Sequence, residues 1–335
     1  MSTDTDVLLR VEDLKVHFPV ANGKLFGDKP VVKAVDGVSF EIARGETVAV
    51  VGESGCGKST TGNAILGLAP ITEGRILFRG RDVSKLDRAE RKQLWHDLQV
   101  VFQDPVSALN PKRTVGQSIA EPLEIHKVPK AKRRARVDEL MQLIGLNPEQ
   151  RDRYPNELSG GQRQRVVIAR ALALDPSIVI CDEAVSALDV SIQSQILNLL
   201  MDLQQKLGLA YLFISHDLSV VRHIADRVVV MYLGCIMEDA PTDSLFENPV
   251  HPYSQALLSA VPIPDPVAER AKEVKPLEGD VPSPFDLPPG CPFVGRCSLR
   301  EDGCATIRPV SFEAAPGHNV ACHVREREIT GNCAI

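Results

Sequence analysis

Short apolar segments alternating with helical stretches dominate the first 260 positions of the chain. Val7 to Phe18 alternates apolar and polar residues, which is typical of a strand with one buried face. Thr47 to Val51 is almost wholly apolar, as central strands buried on both faces are. Further strands are predicted at Val31–Ile42, Leu98–Phe102, Ile178–Cys181 and Leu209–Ile214. The pattern predicts an α/β fold whose mostly parallel sheet is covered by helices.

Two segments depart from this alternation. Pro105 to Glu157 is mostly helical in its periodicity, so we expect a helical subdomain at about 105–160. Between Pro262 and Pro292 prolines are frequent and periodicity is lost, which predicts a linker into a small, loop-rich C-terminal module containing four cysteines. The chain is therefore divided into a large domain at 7–260 and an extension at 261–335.

The amino-acid composition and charge exclude several classes of protein. The 335 residues are 44% hydrophobic, which is ample for a buried core. The formal net charge of −6 argues against nucleic acid as the main partner. Met1 to Asp6 is polar and acidic, so we expect no secretion signal, and the eight cysteines are expected to be reduced. No apolar stretch reaches the ~18–20 residues that span a bilayer.

The segment Gly52-Glu53-Ser54-Gly55-Cys56-Gly57-Lys58-Ser59 matches the phosphate-loop pattern G-x-x-x-x-G-K-[ST]. It follows a buried strand and precedes a predicted helix from Lys58 to Leu68, so backbone N–H groups and the helix N-terminus can surround phosphates. Lys58 is expected to reach the β- and γ-phosphates of ATP, and Ser59 to bind Mg²⁺. A chance glycine turn is the alternative. The predicted nucleotide contacts are Gly52, Ser54, Gly55, Cys56, Gly57, Lys58, Ser59 and Thr60.

Two carboxylates follow the apolar strand Ile178–Cys181. Placing charged side chains at the end of a buried strand costs free energy, so such charges suggest a function. Ligands of open α/β sheets bind at these strand ends. Asp182 is the expected partner of Mg²⁺, and Glu183 is the expected base for the attacking water. The alternative is a strand that simply emerges into solvent.

A third motif, Leu158-Ser159-Gly160-Gly161-Gln162, resembles the signature of ATP-binding-cassette (ABC) ATPases. A helix start rich in Ser and Gly offers backbone N–H groups to an anion, although a Ser-capped helix would look the same. The resemblance covers about Val7 to Ala260. It implies that the signature contacts the γ-phosphate held by another subunit, through Ser159, Gly160, Gly161 and Gln162. One chain would then be half of a nucleotide-sandwich dimer.

Further positions match the same family. The resemblance implies that Gln103 senses Mg²⁺ and the attacking water, that His216 contacts the γ-phosphate, and that Phe18 stacks on adenine. Asp189, in Ser186-Ala187-Leu188-Asp189, resembles the loop that crosses the dimer interface. The fold implied is a P-loop NTPase of the ABC type, with a RecA-like core, an antiparallel β subdomain and a helical subdomain. Ala184 departs from the pattern, because relatives commonly carry proline there.

Several stretches resemble one subfamily, the dipeptide/oligopeptide importer ATPases, and within it the second, F-type subunit. They are Val35–Phe40, Phe102–Pro105, Leu109–Pro111 and Asn248–Tyr253. The resemblance implies a heterodimer with a second ABC ATPase, two transmembrane permease subunits and an extracytoplasmic solute-binding protein. The chain would lie peripherally at the cytoplasmic face of the bacterial inner membrane. Nickel, glutathione or another small solute is the alternative cargo, and a soluble ABC ATPase not coupled to transport is a further alternative.

The C-terminal cysteines Cys291, Cys297, Cys304 and Cys322 lie in a segment too rich in Pro and Gly to form much core. Four thiolates suit a [4Fe–4S] cluster or Zn²⁺, and the absence of a C-x-x-C pair weakens zinc. The pattern resembles iron–sulfur-binding tails of peptide-importer ATPases, which implies a [4Fe–4S] cluster. Zinc or no metal stays open. Arg296, His318 and His323 are expected to lie behind the ligands or to face solvent.

Overall fold

The computed structural model describes residues 7–20, 30–262, 269–270, 279, 282–283, 285 and 287–331. Most of the predicted linker between Pro262 and Pro292 lies outside these residues. Within them the chain divides into two units. The first unit comprises residues 7, 42–47 and 85–214, and the second comprises the described parts of 8–41, 48–84 and 215–331.

The strands are β1 (Val7–Pro19), β2 (Val31–Ala43), β3 (Thr47–Val51), β4 (Glu73–Phe78), β5 (Arg81–Asp82), β6 (Leu98–Val101), β7 (Ile178–Asp182), β8 (Ala210–Ile214), β9 (Arg227–Tyr232), β10 (Cys235–Pro241), β11 (Phe312–Ala315) and β12 (His318–Val320). The helices are α1 (Lys58–Ile65), α2 (Arg88–Asp97), α3 (Pro105–Ala108), α4 (Val115–Ile125), α5 (Lys130–Leu143), α6 (Gly160–Ala171), α7 (Val190–Leu207), α8 (Leu218–Ile224), α9 (Thr242–Glu247), α10 (Pro252–Ser259) and α11 (His323–Thr330).

The first unit is built on parallel strands and the helices that follow them. β7 lies between β6 and β8, with Ile178 opposite both Leu98 and Ala210. All of β8 and all but the last residue of β7 are buried, which is why both segments are continuously apolar. The predicted helical insertion forms α3, α4 and α5 together with short 3₁₀ turns, and α4 packs against α5 and α6.

Side-chain caps set where two of these helices begin. α4 starts after Thr114 and α6 starts after Ser159. In both, the hydroxyl accepts the backbone N–H of a glutamine three residues on, and that glutamine accepts the N–H of the cap. The start of α6 is therefore encoded within the predicted signature motif itself.

The second unit contains an antiparallel sheet in the order β2-β1-β4-β5 and a group of strands in the order β11-β12-β10-β9-β3. β3 is parallel to β9, with Val48 opposite Arg227, and every residue of β3 is buried as predicted. β12 pairs antiparallel with β10 through Glu238 opposite Val320. The hairpin β11–β12 thus extends the sheet through β10.

One helix boundary differs from the sequence-based prediction. α1 ends at Ile65 rather than at Leu68. Gly67 adopts a left-handed backbone with φ of 70°, and its N–H donates to Ala64, which stops the helix. Within the described ranges, none of the helices combines the length and apolar character needed to span a bilayer.

Candidate functional site

The phosphate loop is shaped by glycines that no larger residue can replace without displacing backbone. Gly52 and Gly57 have φ of 149° and 105°. A Cβ on Gly52 would lie 2.1 Å from the carbonyl oxygen of Met231, and one on Gly57 would lie 2.3 Å from that of Ala34. The loop therefore folds tightly between neighbouring backbones, and α1 begins directly after it.

Lys58, the first residue of α1, is buried and turned back over the loop. Its Nζ donates to the carbonyl oxygens of Gly52 at 2.8 Å and Glu53 at 2.9 Å. The thiol of Cys56 lies 3.8 Å from the same Nζ. Burial raises the pKa of Cys56, against the opposing effect of Lys58, so this thiol stays protonated. The exposed residues of the loop region are Ser54, Gly55 and Ser59, and Thr60 is half-buried.

The acidic strand end is at the C-terminus of β7 in the first unit. Asp182 is its last residue and lies opposite Ile214 of β8. Glu183 follows with a φ of 49°, which is unusual for a residue with a side chain, and its N–H donates to the carbonyl oxygen of Ile214 at 2.9 Å. Both carboxylates are half-buried.

The structure brings Gln103 and Glu183 together, although 80 residues separate them in the sequence. Nε2 of Gln103 donates to Oε2 of Glu183 at 2.8 Å, and the hydroxyl of Ser186 lies 3.4 Å from the same amide nitrogen. Ser186 in turn donates to the carbonyl oxygen of Glu183 at 3.0 Å. An amide that orients a carboxylate fits a base that must accept a proton from water.

The predicted signature also lies in the first unit, at the start of α6. Ser159 and Gly160 are exposed, Gln162 is half-buried, and the Ser159 hydroxyl accepts from the backbone of Gln162 at 3.3 Å. Gly161 is buried against α7, because a Cβ there would lie 2.7 Å from Cγ2 of Ile192. Asp189 is exposed and immediately precedes α7.

The two remaining predicted contacts lie in the second unit. Phe18, near the end of β1, is 37% exposed, which is unusual for a large aromatic residue in a strand. His216 is exposed and lies between β8 and α8. The second unit therefore contains the phosphate loop, Phe18 and His216. The first unit contains Gln103, the two carboxylates, the signature and Asp189.

Comparisons with known proteins decide the family. A family model described as "ABC transporter" matches residues 35–186, and another, described as "Oligopeptide/dipeptide transporter, C-terminal region", matches residues 237–304. The probable peptide ABC transporter ATP-binding protein y4tS of Sinorhizobium fredii is 52% identical over 322 residues, covering 96% of this chain and 91% of that protein. The chain belongs to the family of ABC transporter ATP-binding proteins.

Two further comparisons agree with that assignment. The oligopeptide transport ATP-binding protein OppF of Salmonella typhimurium is 51% identical over 321 residues, covering 94% of this ABC ATPase and 96% of that protein. A solved dimeric structure of the ATP-binding cassette MJ0796, bound to ADP and Pi, has a TM-score of 0.62 and 30% identity, covering 70% of this chain and 99% of that chain. The predicted P-loop fold of the ABC type is confirmed.

The placement of the four C-terminal cysteines of this ABC ATPase does not support the predicted iron–sulfur cluster. Burial, together with the smaller effects of Cys297, Cys322 and Cys304, raises the pKa of Cys291 to about 12. The Cys291 thiol is therefore protonated unless a metal ion displaces its proton. In the part of the chain that the structure describes, no group of three or more His, Cys, Asp and Glu side chains is placed to hold a metal ion.

The neighbours of those cysteines are buried rather than turned to solvent. His318 bonds to Glu238 at 2.6 Å, and His323 bonds to the carbonyl oxygen of Ile307 at 2.9 Å. Arg296 bonds to Glu53 within the phosphate loop at 2.7 Å. Sequence reasoning missed this last contact, because the phosphate-loop pattern leaves the position of Glu53 unspecified and 243 residues separate the partners.

Proposed function

We propose that this ABC ATPase hydrolyses ATP to drive the import of dipeptides and oligopeptides across the bacterial cytoplasmic membrane. The observation that carries the proposal is the presence, in one chain, of the ABC transporter match and the oligopeptide/dipeptide transporter C-terminal match. Relatives about half identical over nearly the whole chain carry peptide-transport names. Nickel, glutathione or another small solute is the alternative cargo, because an ATPase subunit does not itself touch the solute.

The proposed chemistry assigns each residue a role in attack of water on the γ-phosphate. Lys58 binds the β- and γ-phosphates, and the backbone of the phosphate loop surrounds them. Glu183 accepts the proton of the attacking water, and Gln103 orients that carboxylate through the bond described above. His216 contacts the γ-phosphate, and Phe18 stacks on the adenine.

Mg²⁺ neutralises phosphate charge when it is bound with ATP. The Ser59 hydroxyl, the Asp182 carboxylate and the Gln103 amide oxygen fit it, because hard cations prefer oxygen ligands. We place this nucleotide chemistry in residues 7–260, with the helical subdomain at about 105–160, and assign residues 261–335 to the C-terminal extension.

The proposed working unit is a dimer of two cassettes. The exposed start of α6 would contact the γ-phosphate held by a second homologous ATPase, and Asp189 would lie at that interface. A relative of known structure forms a dimer, which supports this arrangement. We propose a heterodimer at the cytoplasmic face of the inner membrane, with two permease subunits and an extracytoplasmic solute-binding protein.

We also propose Cys291, Cys297, Cys304 and Cys322 as ligands of a [4Fe–4S] cluster, with zinc as the alternative. The support is the resemblance of their spacing to iron–sulfur-binding tails of peptide-importer ATPases, together with the bond from the N–H of Cys291 to the carbonyl oxygen of Cys304 at 2.8 Å. Binding would require the side chains to reorient and lose their protons. Anaerobic purification should yield about four irons per chain, and Cys304→Ser should reduce that content. An iron- and zinc-free chain would contradict the proposal.

Uptake of a labelled tripeptide tests the transport function. A strain that lacks this chain should lose uptake, the parent chain should restore it, and Glu183→Gln should not. Restoration by Glu183→Gln would separate transport from hydrolysis at this site. Unchanged tripeptide uptake in the strain without the chain, combined with lost uptake of nickel or glutathione, would favour the alternative cargo.

A further inference from the structure

Glu53 of the phosphate loop is held at three separate points. Its backbone N–H donates to the hydroxyl of Tyr253 at 3.0 Å. Its carbonyl oxygen accepts from Nζ of Lys58 at 2.9 Å. Its carboxylate receives both terminal nitrogens of Arg296, at 2.7 and 3.1 Å. Two of these partners come from beyond residue 250, so residues distant in sequence fix the backbone of a loop expected to surround phosphates.

The side chain of Arg296 is buried, and its surroundings fix the orientation of its contact with Glu53. Only 7% of its side chain is exposed. The guanidinium lies over the ring of Tyr232, 5.9 Å from the centroid, and one of its nitrogens is 3.5 Å from the Tyr232 hydroxyl. A bidentate Arg–carboxylate pair fixes the orientation of both groups, which a lysine at the same position could not reproduce.

An aromatic cluster, here Tyr232, His251, Tyr253 and Phe293, supports the ion pair. The centroid of the Phe293 ring lies 5.3 Å from those of Tyr232 and Tyr253 and 5.7 Å from that of His251. Phe293 precedes the 3₁₀ turn Val294–Arg296, and its ring is almost fully buried. The packing of these rings anchors the C-terminal module beside the phosphate loop. The anchor lies next to Arg296, the residue of the module that contacts the loop.

We propose that Arg296 is a positioning residue for ATP, and that through it the C-terminal module sets the nucleotide affinity of the phosphate loop. The inference rests on the proposed function, because it assumes that this loop binds ATP. The physical reason is preorganisation. A loop already fixed at Glu53, with Lys58 bonded to its carbonyl oxygens, loses less conformational freedom when phosphate binds. Arg296 itself need not touch the nucleotide.

The test compares variants of the full-length chain by titration with Mg²⁺–ATP in a calorimeter. Arg296→Ala should weaken binding by about tenfold, which corresponds to about 1.4 kcal/mol. Arg296→Lys should fall between this variant and the parent. Adding Glu53→Gln to Arg296→Ala should cause little further loss, because both changes remove the same contact. The matched control is Arg327→Ala, which breaks the exposed pair with Glu301 in the same module and should leave affinity unchanged.

A second readout separates positioning from general stability. In the assembled transporter, Arg296→Ala should raise the KM for ATP and leave kcat within about twofold, whereas a globally destabilised chain would lose kcat through a smaller active fraction. Unchanged affinity in Arg296→Ala overturns the inference. If Arg296→Ala does not fold, Arg296→Lys and Glu53→Gln decide by the same criterion. A parent chain that does not bind ATP refutes the proposed function, and this inference with it.

Discussion

Glu183 occupies a backbone conformation that few residues with side chains adopt. Its φ of 49° is maintained by the bond from its N–H to Ile214 and by the hydroxyl of Ser186 on its carbonyl oxygen. Such local strain persists where the surrounding structure enforces it, and it is concentrated at functional sites. The carboxylate of this residue accepts a hydrogen bond from the amide of Gln103.

The first prediction concerns this carboxylate. Glu183→Gln should lower ATP hydrolysis by about 10²- to 10⁴-fold, because the amide cannot accept the proton of the attacking water. ATP binding should be retained and should trap the dimer, which size-exclusion chromatography with ATP would detect. The control is Glu149→Gln, which changes an exposed carboxylate. Hydrolysis at the parent rate in Glu183→Gln would show that the base is another residue.

The sequence could suggest those functional residues whose partners lie close to them along the chain. Lys58, Asp182 and Ser159 each lie in a short motif whose neighbours supply the strand end, loop or helix start that the chemistry needs. The contact between Arg296 and Glu53 has no such signature, because it forms only when the C-terminal module packs beside the loop.

At the scale of elements, α6 and α7 approach closely at Gly161. A Cβ at Gly161 would lie 2.7 Å from Cγ2 of Ile192, whereas one at Gly160 would make an ordinary contact of 3.7 Å with Leu188. Ile192 cannot easily move away, because a β-branched side chain in a helix has one preferred χ1 rotamer. The two adjacent glycines of the signature therefore face different environments.

The second prediction follows from that difference. Gly161→Ala should lower the free energy of unfolding by about 1–3 kcal/mol, since overpacking forces neighbours to shift. Gly160→Ala should be neutral or slightly stabilising, because alanine favours helix over glycine by about 1 kcal/mol. Urea denaturation of the two variants provides the measurement. Equal effects of the two substitutions would contradict the packing described here.

The third prediction concerns the start of α10, where Nδ1 of His251 accepts the N–H of Tyr253 at 3.0 Å. Burial lowers the pKa of His251 to about 4; the nearby charge of Glu238 opposes this effect and that of Arg325 reinforces it. An unfolded histidine binds a proton near pH 6.5, so the unfolded state binds more protons between about pH 4 and 6.5. The free energy of unfolding should therefore decline as the pH falls through this window. The contribution of His251 to that decline is up to about 3 kcal/mol.

Thermal unfolding of variants at pH 7 and pH 5 would isolate that contribution. His251→Asn keeps a side-chain acceptor at the helix start and removes the titrating group, so its melting temperature should depend less on pH than that of the parent. His223→Asn, which changes an exposed histidine, should keep the parent's dependence. An unchanged dependence in His251→Asn would contradict the assignment.

The elements that sequence patterns predicted well are those with strong apolar periodicity. β3 matches its predicted range, and β7 and β8 each differ by one residue. Weaker patterns were missed. α2 buries only Leu94 among ten mostly polar residues, and β12 has only three residues. An element with one buried apolar residue, or with three residues in all, leaves too little periodicity to detect.

At the scale of the whole molecule, each unit contains only part of the proposed ATP machinery. The phosphate loop belongs to the second unit, and the carboxylates and signature belong to the first. If the signature acts on nucleotide held by another chain, ATP must favour the association of two cassettes. The free energy by which ATP favours association equals the difference between its binding free energies for the closed and the open dimer. Because this chain carries all of the predicted catalytic motifs, we expect its own phosphate loop to hydrolyse ATP.

The most direct test of the transport account is to identify what binds the chain in cells. A tagged Glu183→Gln chain would be purified with ATP from solubilised membranes, and its partners identified by mass spectrometry, with an ATP-free purification as the control. We expect a second cassette ATPase and two multi-spanning permeases, with the second cassette depleted when ATP is omitted. Recovery only from the soluble fraction, together with ribosomal or DNA-repair proteins, would contradict the transport account.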